Sequence, residues 1–420
     1  MTNVVVVGAG FAGVLTAKYL EQKLGKEKDV CITLIDKNDY HTMRTEIHAA
    51  ATSRGKSTNI IYPLADIYKG KNVNLVKDTV SKIDFGAKKV IGTDGCYEYD
   101  YLVLSAGSQP AYFGIPGAKE NTLPFWTFDD ALDIKTKLSE TFENAAKLAD
   151  ADERKAALSF YVVGAGLTGV ELAGELAEVI PLLCEKYSVD KNDTSITVLD
   201  AAARAIPNLP AHRGNTATKI LTEMGCEMIF NAKVKEVKPD AIVYEVNGTE
   251  VCKPKGMAVW SAGITANDVT LEAAKELKSE RGGRIVDNYY LESVTDPSVY
   301  VCGDNMYYVP KGKKGTVPQM VENCEQASKI VANNIANKIT GEGKQKTYKP
   351  SLHGCMVSLG AKKGLTYFIL GPLAIPLPSL PTQIFKRAIN IVYLAPVIGF
   401  SKLPTLINRE YLAKRNLKNK

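Results

Sequence analysis

Two stretches of this chain share one pattern, and together they constrain its fold more than anything else in it. Near the start, an apolar run from Val4 to Val7 meets Gly8, Ala9, Gly10, Phe11, Ala12 and Gly13, and a helical pattern follows. Further on, Phe160 to Val163 lead into Gly164, Gly166 and Gly169, again before a helical pattern. A glycine triplet alone is weak, because glycines punctuate many turns. Strand before, helix after and an acid closing the next strand make it strong. Those acids are Asp36, at the end of CITLID, and Asp200, at the end of SITVLD. The first glycine permits the tight turn, the second admits a pyrophosphate to the backbone, and the third lets helix and strand pack closely. The free N–H groups of the helix start then face the phosphates. An acid at this position suits a ribose with a free 2′-hydroxyl, hence NAD(H). Two full fingerprints imply two dinucleotides, one of them a flavin.

Composition narrows the class. The 420 residues are enough for two or three domains, and 45% hydrophobic with 23% charged content is ordinary for a globular protein. A net charge of +6 is too small to argue for nucleic acid. The eight cysteines, at 31, 96, 184, 226, 252, 302, 324 and 355, form no CxxC or CxxxxC pair. A redox dithiol and a zinc knuckle are thereby excluded, and no metal site is expected. MTNVVVVGAG has no basic n-region or cleavage site, so a cytoplasmic protein is expected.

The C-terminal stretch TQIFKRAINIVYLAPVIGFSKL follows neither glycine pattern. Ile384, Phe385, Ala388, Ile389 and Val392 share one helical face beside Lys386 and Arg387. The uncharged run from Ala388 to Phe400 is too short to span a bilayer, and Pro396 and Gly399 interrupt it. Before it, Pro372, Pro376, Pro378 and Pro381 oppose a single helix. The cations Lys402, Arg409, Lys414, Arg415, Lys418 and Lys420 follow. These features predict an amphipathic helix on a membrane surface, apolar face in lipid and basic residues at the headgroups. A homodimer could bury part of the same face.

VYVCGDN, with Gly303 and Asp304 ending a short strand, resembles the second flavin motif of the two-dinucleotide-binding-domain flavoproteins. In that motif the aspartate bonds the ribityl chain. YDYLVLSAGSQP and GMAVWSAGITAN resemble the two crossover strands of the same superfamily. Within it, the chain resembles the type II, non-proton-pumping NADH:quinone dehydrogenases. The stretches IDKNDYH…TEIHAAA, GAGLTGVELAGELAE, VWSAG, GDN and SLG and the basic C-terminus carry that resemblance. It implies an α/β fold of two Rossmann-like domains, with an NAD domain inserted in an FAD domain, and a C-terminal membrane-associating segment. The boundaries expected are 1–118 and 271–340 for FAD, 119–270 for NADH, and 341–420 for anchoring or dimerisation. The implied reaction is FAD-dependent oxidation of NADH with reduction of a bilayer quinone, menaquinone in the first instance. The implied setting is a homodimer on the cytoplasmic face of the cell membrane.

Carried over by position, Gly8, Gly10, Phe11, Ala12, Gly13, Asp36, Lys37, Asn38, Val80, Ala106, Gly107, Gly303, Asp304 and Val321 correspond to FAD contacts. Gly164, Gly166, Thr168, Gly169, Asp200 and Gly263 correspond to NADH contacts. Glu171 matches a position near flavin and nicotinamide, and Glu175, four residues on, one beside the NADH ribose. Lys386 is expected to partner either the reduced flavin or Glu171. The family presents two glutamines four apart after its Gly-Asp landmark, near the flavin and the quinone head. Here Glu322 and Gln326 stand there, so the second position keeps the pattern and the first departs from it. Two alternatives remain: a soluble NADH:acceptor reductase serving a protein carrier, and a sulfide:quinone oxidoreductase, for which Cys355 could be one of the cysteines needed while Cys184 lies on a helix well past the second glycine triplet.

Overall fold

Both glycine fingerprints fold into the same unit, and the reason lies in their flanks. The β-branched run Thr2–Val7 forms a strand whose last four residues are buried. It is the centre of a five-stranded sheet ordered Val299–Val301, Tyr101–Leu104, Thr2–Val7, Val30–Asp36, Asn74–Lys77, parallel throughout. Burial on both faces explains why these strands are continuous apolar runs rather than alternating ones. The second sheet repeats the plan: Leu123–Pro124, Met257–Trp260, Ser159–Val163, Ser195–Leu199, Cys226–Ile229, again all parallel. Each unit carries a three-stranded antiparallel insert before its crossover strand, at Val80–Glu98 in the first and Ala232–Pro254 in the second.

This computed structural model describes residues 1–54, 56–370, 373–375, 379–402 and 404. Arg409, Lys414, Arg415, Lys418 and Lys420, expected at lipid headgroups, lie outside the described residues, as do Pro372, Pro376 and Pro378.

One face of the first sheet is covered by two helices packed together, Phe11–Leu24 and Val321–Thr340, with Ser328 Oγ donating to the Ala12 carbonyl at 2.9 Å. The helix Leu167–Tyr187 leads from the second glycine turn to the C-terminal region. There the strands Gly354–Leu359, Lys363–Leu370 and Leu373–Ile375 form an antiparallel sheet. Strand and helix meet at Gly174, where a Cβ would lie 2.6 Å from the Gly360 nitrogen. Glu171 and Glu178, one turn to either side, accept from the backbone N–H groups of Ser358 and Ala361, each at 2.9 Å.

The C-terminal helix, Ser379–Ile398, inverts the usual arrangement of an amphipathic helix. Thr382, Lys386, Asn390 and Tyr393 face the protein and are buried. Ile384, Phe385, Ile389 and Val392 face out, Val392 at 71% exposure. Lys386 is therefore not a headgroup cation beside the apolar stripe. Its ammonium is buried, because acidic partners wait for it inside. Among the described residues no helix is long and apolar enough to cross a membrane.

Candidate functional site

The two glycine turns are built alike to the level of single atoms. Gly8 and Gly164 have φ of 99° and 106°, conformations that side-chain-bearing residues rarely adopt. A Cβ on Gly13 would fall 1.7 Å from the Gly8 carbonyl, and one on Gly169 1.9 Å from that of Gly164. Ser105 Oγ bonds the Val7 carbonyl at 2.8 Å, and Ser261 Oγ the Val163 carbonyl at 2.9 Å. Asp36 accepts from the Ala9 N–H at 2.6 Å and Asp200 from the Ala165 N–H at 2.5 Å. Each acid thus holds the middle of its own turn as well as ending its strand. Burial pushes the Asp36 carboxyl up, against the opposing pull of the Ala9 and Asn38 N–H groups.

Whether a dinucleotide fits is decided by what the turns leave open. Gly10, Gly107 and Gly166 have no atom within 4 Å of where a Cβ would sit. Neither following helix has a side-chain cap, so the first-turn N–H groups remain available to an anion. Arg44 adds a cation to the first turn. The residue is half-buried, its guanidinium is drawn electrostatically to Asp304 and Asp36, and it lies 4.9 Å over the Trp126 ring. Both turns fit a dinucleotide pyrophosphate.

The turns are joined where their crossover strands end. Ser108–Pro110 pairs antiparallel with Ile264–Ala266, Ser108 opposite Ala266. Asn305 clamps Gly107 from both sides, accepting from its N–H at 2.7 Å and donating to its carbonyl at 2.8 Å. Ser108 Oγ donates to Asp304 at 2.5 Å. Phe113, 70% exposed at φ 54°, covers Gly263, whose Cβ would lie 2.4 Å from the ring. Of the remaining expected residues, Ala106, Thr168, Val80 and Val321 are half-buried at turn or element starts, and Lys37 is exposed.

The expected polar residues divide into two places. Glu322 Oε1 contacts His353 Nδ1, and its Oε2 accepts from the His353 N–H at 3.1 Å. Gln326 bonds Ser351 twice, donating to its carbonyl at 2.6 Å and accepting from its N–H at 2.9 Å. The pair therefore clamps the segment that leads into the C-terminal sheet.

Glu171 and Glu175 lie elsewhere, in a buried charge cluster. Lys386 Nζ donates to Glu171 Oε1 at 2.6 Å and Ser358 Oγ at 2.9 Å, and lies 3.6 Å from Glu46. Arg54 Nε is 3.0 Å from Glu175 Oε1, and Thr52 Oγ1 donates to Glu175 Oε2 at 3.0 Å. The Glu175 carboxylate is enclosed by these groups rather than open to the cleft. His48 accepts at Nε2 from Arg54 at 3.0 Å, which leaves its Nδ1–H directed at Glu171 Oε2, 3.5 Å away and short of a hydrogen bond. Burial, then Lys386 and Arg54, hold the His48 imidazole well below its ordinary range, so it is neutral. Three carboxylates, Glu46, Glu171 and Glu175, then face two cations, Lys386 and Arg54. The unbalanced charge falls on Glu171, pushed up by burial despite its lysine, whereas Lys386 and Arg54 hold Glu46 down against burial. Cys355 lies beside Glu171 and Lys386, and Cys184, as its sequence position implies, is on the helix after the second glycine turn, 13 residues beyond Glu171, about 20 Å at a helical rise.

Sequence reading marks DYH…TEIH as distinctive but assigns no role to His41, Arg44, Glu46 or His48. Arg54 and Tyr393 carry no sequence signal.

Residues 2–328 match a family model described as pyridine nucleotide-disulphide oxidoreductase. A Staphylococcus aureus protein named type II NADH:quinone oxidoreductase is 32% identical over 372 residues, 89% of this chain and 91% of that one. Among solved structures, Plasmodium falciparum NDH2 in complex with NADH superposes with a TM-score of 0.84 at 16% identity, covering 99% of both chains. The sulfide:quinone oxidoreductase of Aquifex aeolicus does so with 0.76 at 22%, covering 97% of this chain and 95% of that one. At these identities both structures speak to the fold alone.

Proposed function

The chain belongs to the pyridine nucleotide-disulphide oxidoreductase family, together with type II NADH:quinone oxidoreductases, and on that premise we propose that it oxidises NADH and reduces a membrane quinone. The overall balance is NADH, a proton and quinone going to NAD+ and quinol. The observation that carries the reading is the pairing of Ser108–Pro110 with Ile264–Ala266, which brings two open dinucleotide turns to one junction. The first turn would hold FAD, which when bound would supply hydride and electron-transfer chemistry between NADH and the acceptor.

The chain's own residues bind, align and manage protons. Gly8, Gly10, Gly13, Asp36, Gly107 and Asp304, with Arg44, hold FAD; Gly164, Gly166, Gly169, Asp200 and Gly263 hold NADH. Ser105 and Ser261 keep the two turns in register with their crossover strands. Glu171, its carboxyl pushed up by burial and bonded to Lys386 through Oε1, is the group that exchanges a proton with the quinone. Glu322 and Gln326 shape the acceptor side through residues 351–353.

Membrane association is part of the same proposal. Ile384, Phe385, Ile389, Val392 and Phe400 are between 46% and 71% exposed. Completing their burial in lipid gains roughly 1 kcal/mol or more each, several kcal/mol in sum. Menaquinone as acceptor, the lack of proton pumping, the cytoplasmic face and a homodimer complete the reading.

The test is stopped-flow reduction by NADH and by NADPH, followed by reoxidation with menaquinone, ubiquinone, oxygen and ferredoxin in turn. NADH and a quinone should be the fastest donor and acceptor. Preference for ferredoxin, with full activity after truncation from Thr382, would establish a soluble carrier reductase instead.

A further inference from the structure

The two turns differ in how the carbonyl of their middle residue is held. In the second, the Ala165 carbonyl accepts from the Ile206 N–H at 2.8 Å, inside the same domain. In the first, the Ala9 carbonyl lies 3.0 Å from His41 Nδ1. A carbonyl can only accept, so Nδ1 carries the proton. The ring is fully buried and neutral, so Nε2 has only a lone pair to offer. The partner of Nε2 is Tyr393 Oη at 3.1 Å, which therefore donates. Tyr393 belongs to the C-terminal helix, 352 residues away in the chain.

Packing strengthens the link. The Phe11 ring, first residue of the helix after the turn, meets His41 edge-on at 5.1 Å and Tyr393 at 4.9 Å between centroids. One helical turn beyond Tyr393, the Val397 carbonyl accepts from Lys18 of that same first helix at 2.8 Å. The C-terminal helix thus reaches the first turn through His41 and that turn's helix through Lys18; it also reaches the helix after the second turn, through Lys386 and Glu171, but the Ala165 carbonyl of that turn is held by Ile206 of its own domain.

We propose that Tyr393 and His41 are positioning residues for the first dinucleotide turn, so that docking of the C-terminal helix sets how tightly FAD is held. The proposal rests on the assignment of FAD to that turn. A trans peptide is planar with its C=O and N–H opposed. Fixing the Ala9 carbonyl on His41 therefore fixes the Gly10 N–H in the opposite direction, as a donor for the pyrophosphate. When the helix leaves, the Ala9–Gly10 peptide is free to turn, and FAD loses a pre-aimed donor while the NADH turn keeps its own.

The experiment titrates deflavinated full-length protein with FAD, following flavin fluorescence and the 450 nm band. It compares wild type, Tyr393→Phe, His41→Ala, His41→Asn and the double variant Tyr393→Phe/His41→Asn. Tyr393→Phe should weaken FAD binding roughly 3- to 10-fold, the loss of one buried hydrogen bond, with NADH affinity unchanged. His41→Ala should weaken it more. His41→Asn, whose amide N–H replaces Nδ1–H but offers nothing at Nε2, should recover most of that loss, and adding Tyr393→Phe to it should cost nothing further. Wild-type affinity in Tyr393→Phe, or an undiminished Tyr393→Phe effect in the His41→Asn background, would overturn the proposal. Should His41→Ala fail to fold, Tyr393→Phe, which removes only a hydroxyl, carries the test alone. Wild-type protein that binds no FAD would instead defeat the underlying assignment.

Discussion

Lys386 donates to Glu171 at 2.6 Å across 215 residues of chain, joining the C-terminal helix to the helix that begins at the NADH turn. The bond lies in the interior, among two further carboxylates and one arginine. It makes the outward-facing apolar helix and the enclosed acid one assembly.

Glu171→Gln keeps a hydrogen-bond acceptor for Lys386 but removes the carboxyl that can exchange a proton. Flavin reduction by NADH should change by less than about 2-fold, and reoxidation by quinone should slow about 10- to 100-fold, the range for loss of a proton donor. Because the Glu171 carboxyl is raised above 4.5 by burial, it is protonated below its own pKa and loses the proton as pH rises. The wild-type quinone step should therefore slow with rising pH, and the variant should lack that slope. Stopped-flow measurement of the two half-reactions across pH separates these outcomes; equal loss in both would remove Glu171 from the quinone step.

His41 gives stability an acid limit. Burial pushes its imidazole from 6.5 down to about 4. A group with a depressed folded pKa contributes stability that is present above the unfolded value and lost as pH falls through the folded one. About 3 kcal/mol, at 1.36 kcal/mol per pKa unit, should therefore disappear between pH 6.5 and 4. Thermal melts of the holoenzyme over that interval should show the fall, and His41→Asn, which does not titrate, should flatten part of it.

Gly174→Ala tests the seam between the NADH-turn helix and the C-terminal sheet. Its Cβ would meet the Gly360 nitrogen at 2.6 Å and Leu359 Cα at 2.8 Å, both backbone atoms with little freedom to move. We expect about 1–3 kcal/mol of destabilisation, read by denaturant unfolding. A wild-type midpoint would mean that the strand can shift without cost.

Val392→Glu places a charge on the outward face, at a position 71% exposed and remote from the buried polar side. Binding to anionic vesicles, followed by flotation, should fall about 10-fold or more, since burying that carboxylate in lipid is unfavourable. Reduction of a water-soluble acceptor by NADH should be unaffected. Undiminished flotation would point to another anchor.

Gly263→Ala introduces a methyl 2.4 Å from the Phe113 ring at a φ of 79°. The KM for NADH should rise several-fold with FAD content intact. A loss of FAD instead would reassign Gly263 to the first turn.

Sequence alone determined the two parallel-sheet units. Strand, glycine turn, helix and closing acid are local and contiguous, and glycine at Gly8 and Gly164 is dictated by backbone geometry that few other residues reach. It also marked Glu171 and Lys386 as notable, and the apolar stripe of the C-terminal helix. It did not reveal which side of that helix faces in. Periodicity identifies an apolar face, and the usual inference buries it. Here the polar side is buried because His41 and Glu46 from one distant segment and Glu171 from another supply its partners. Such partners meet only once the chain has folded, since ion pairs and hydrogen bonds depend on distance and direction and leave no period in the sequence. Tertiary structure likewise decided that Asp36 and Asp200 brace their own turns, and that His41 connects the first turn to the end of the described chain.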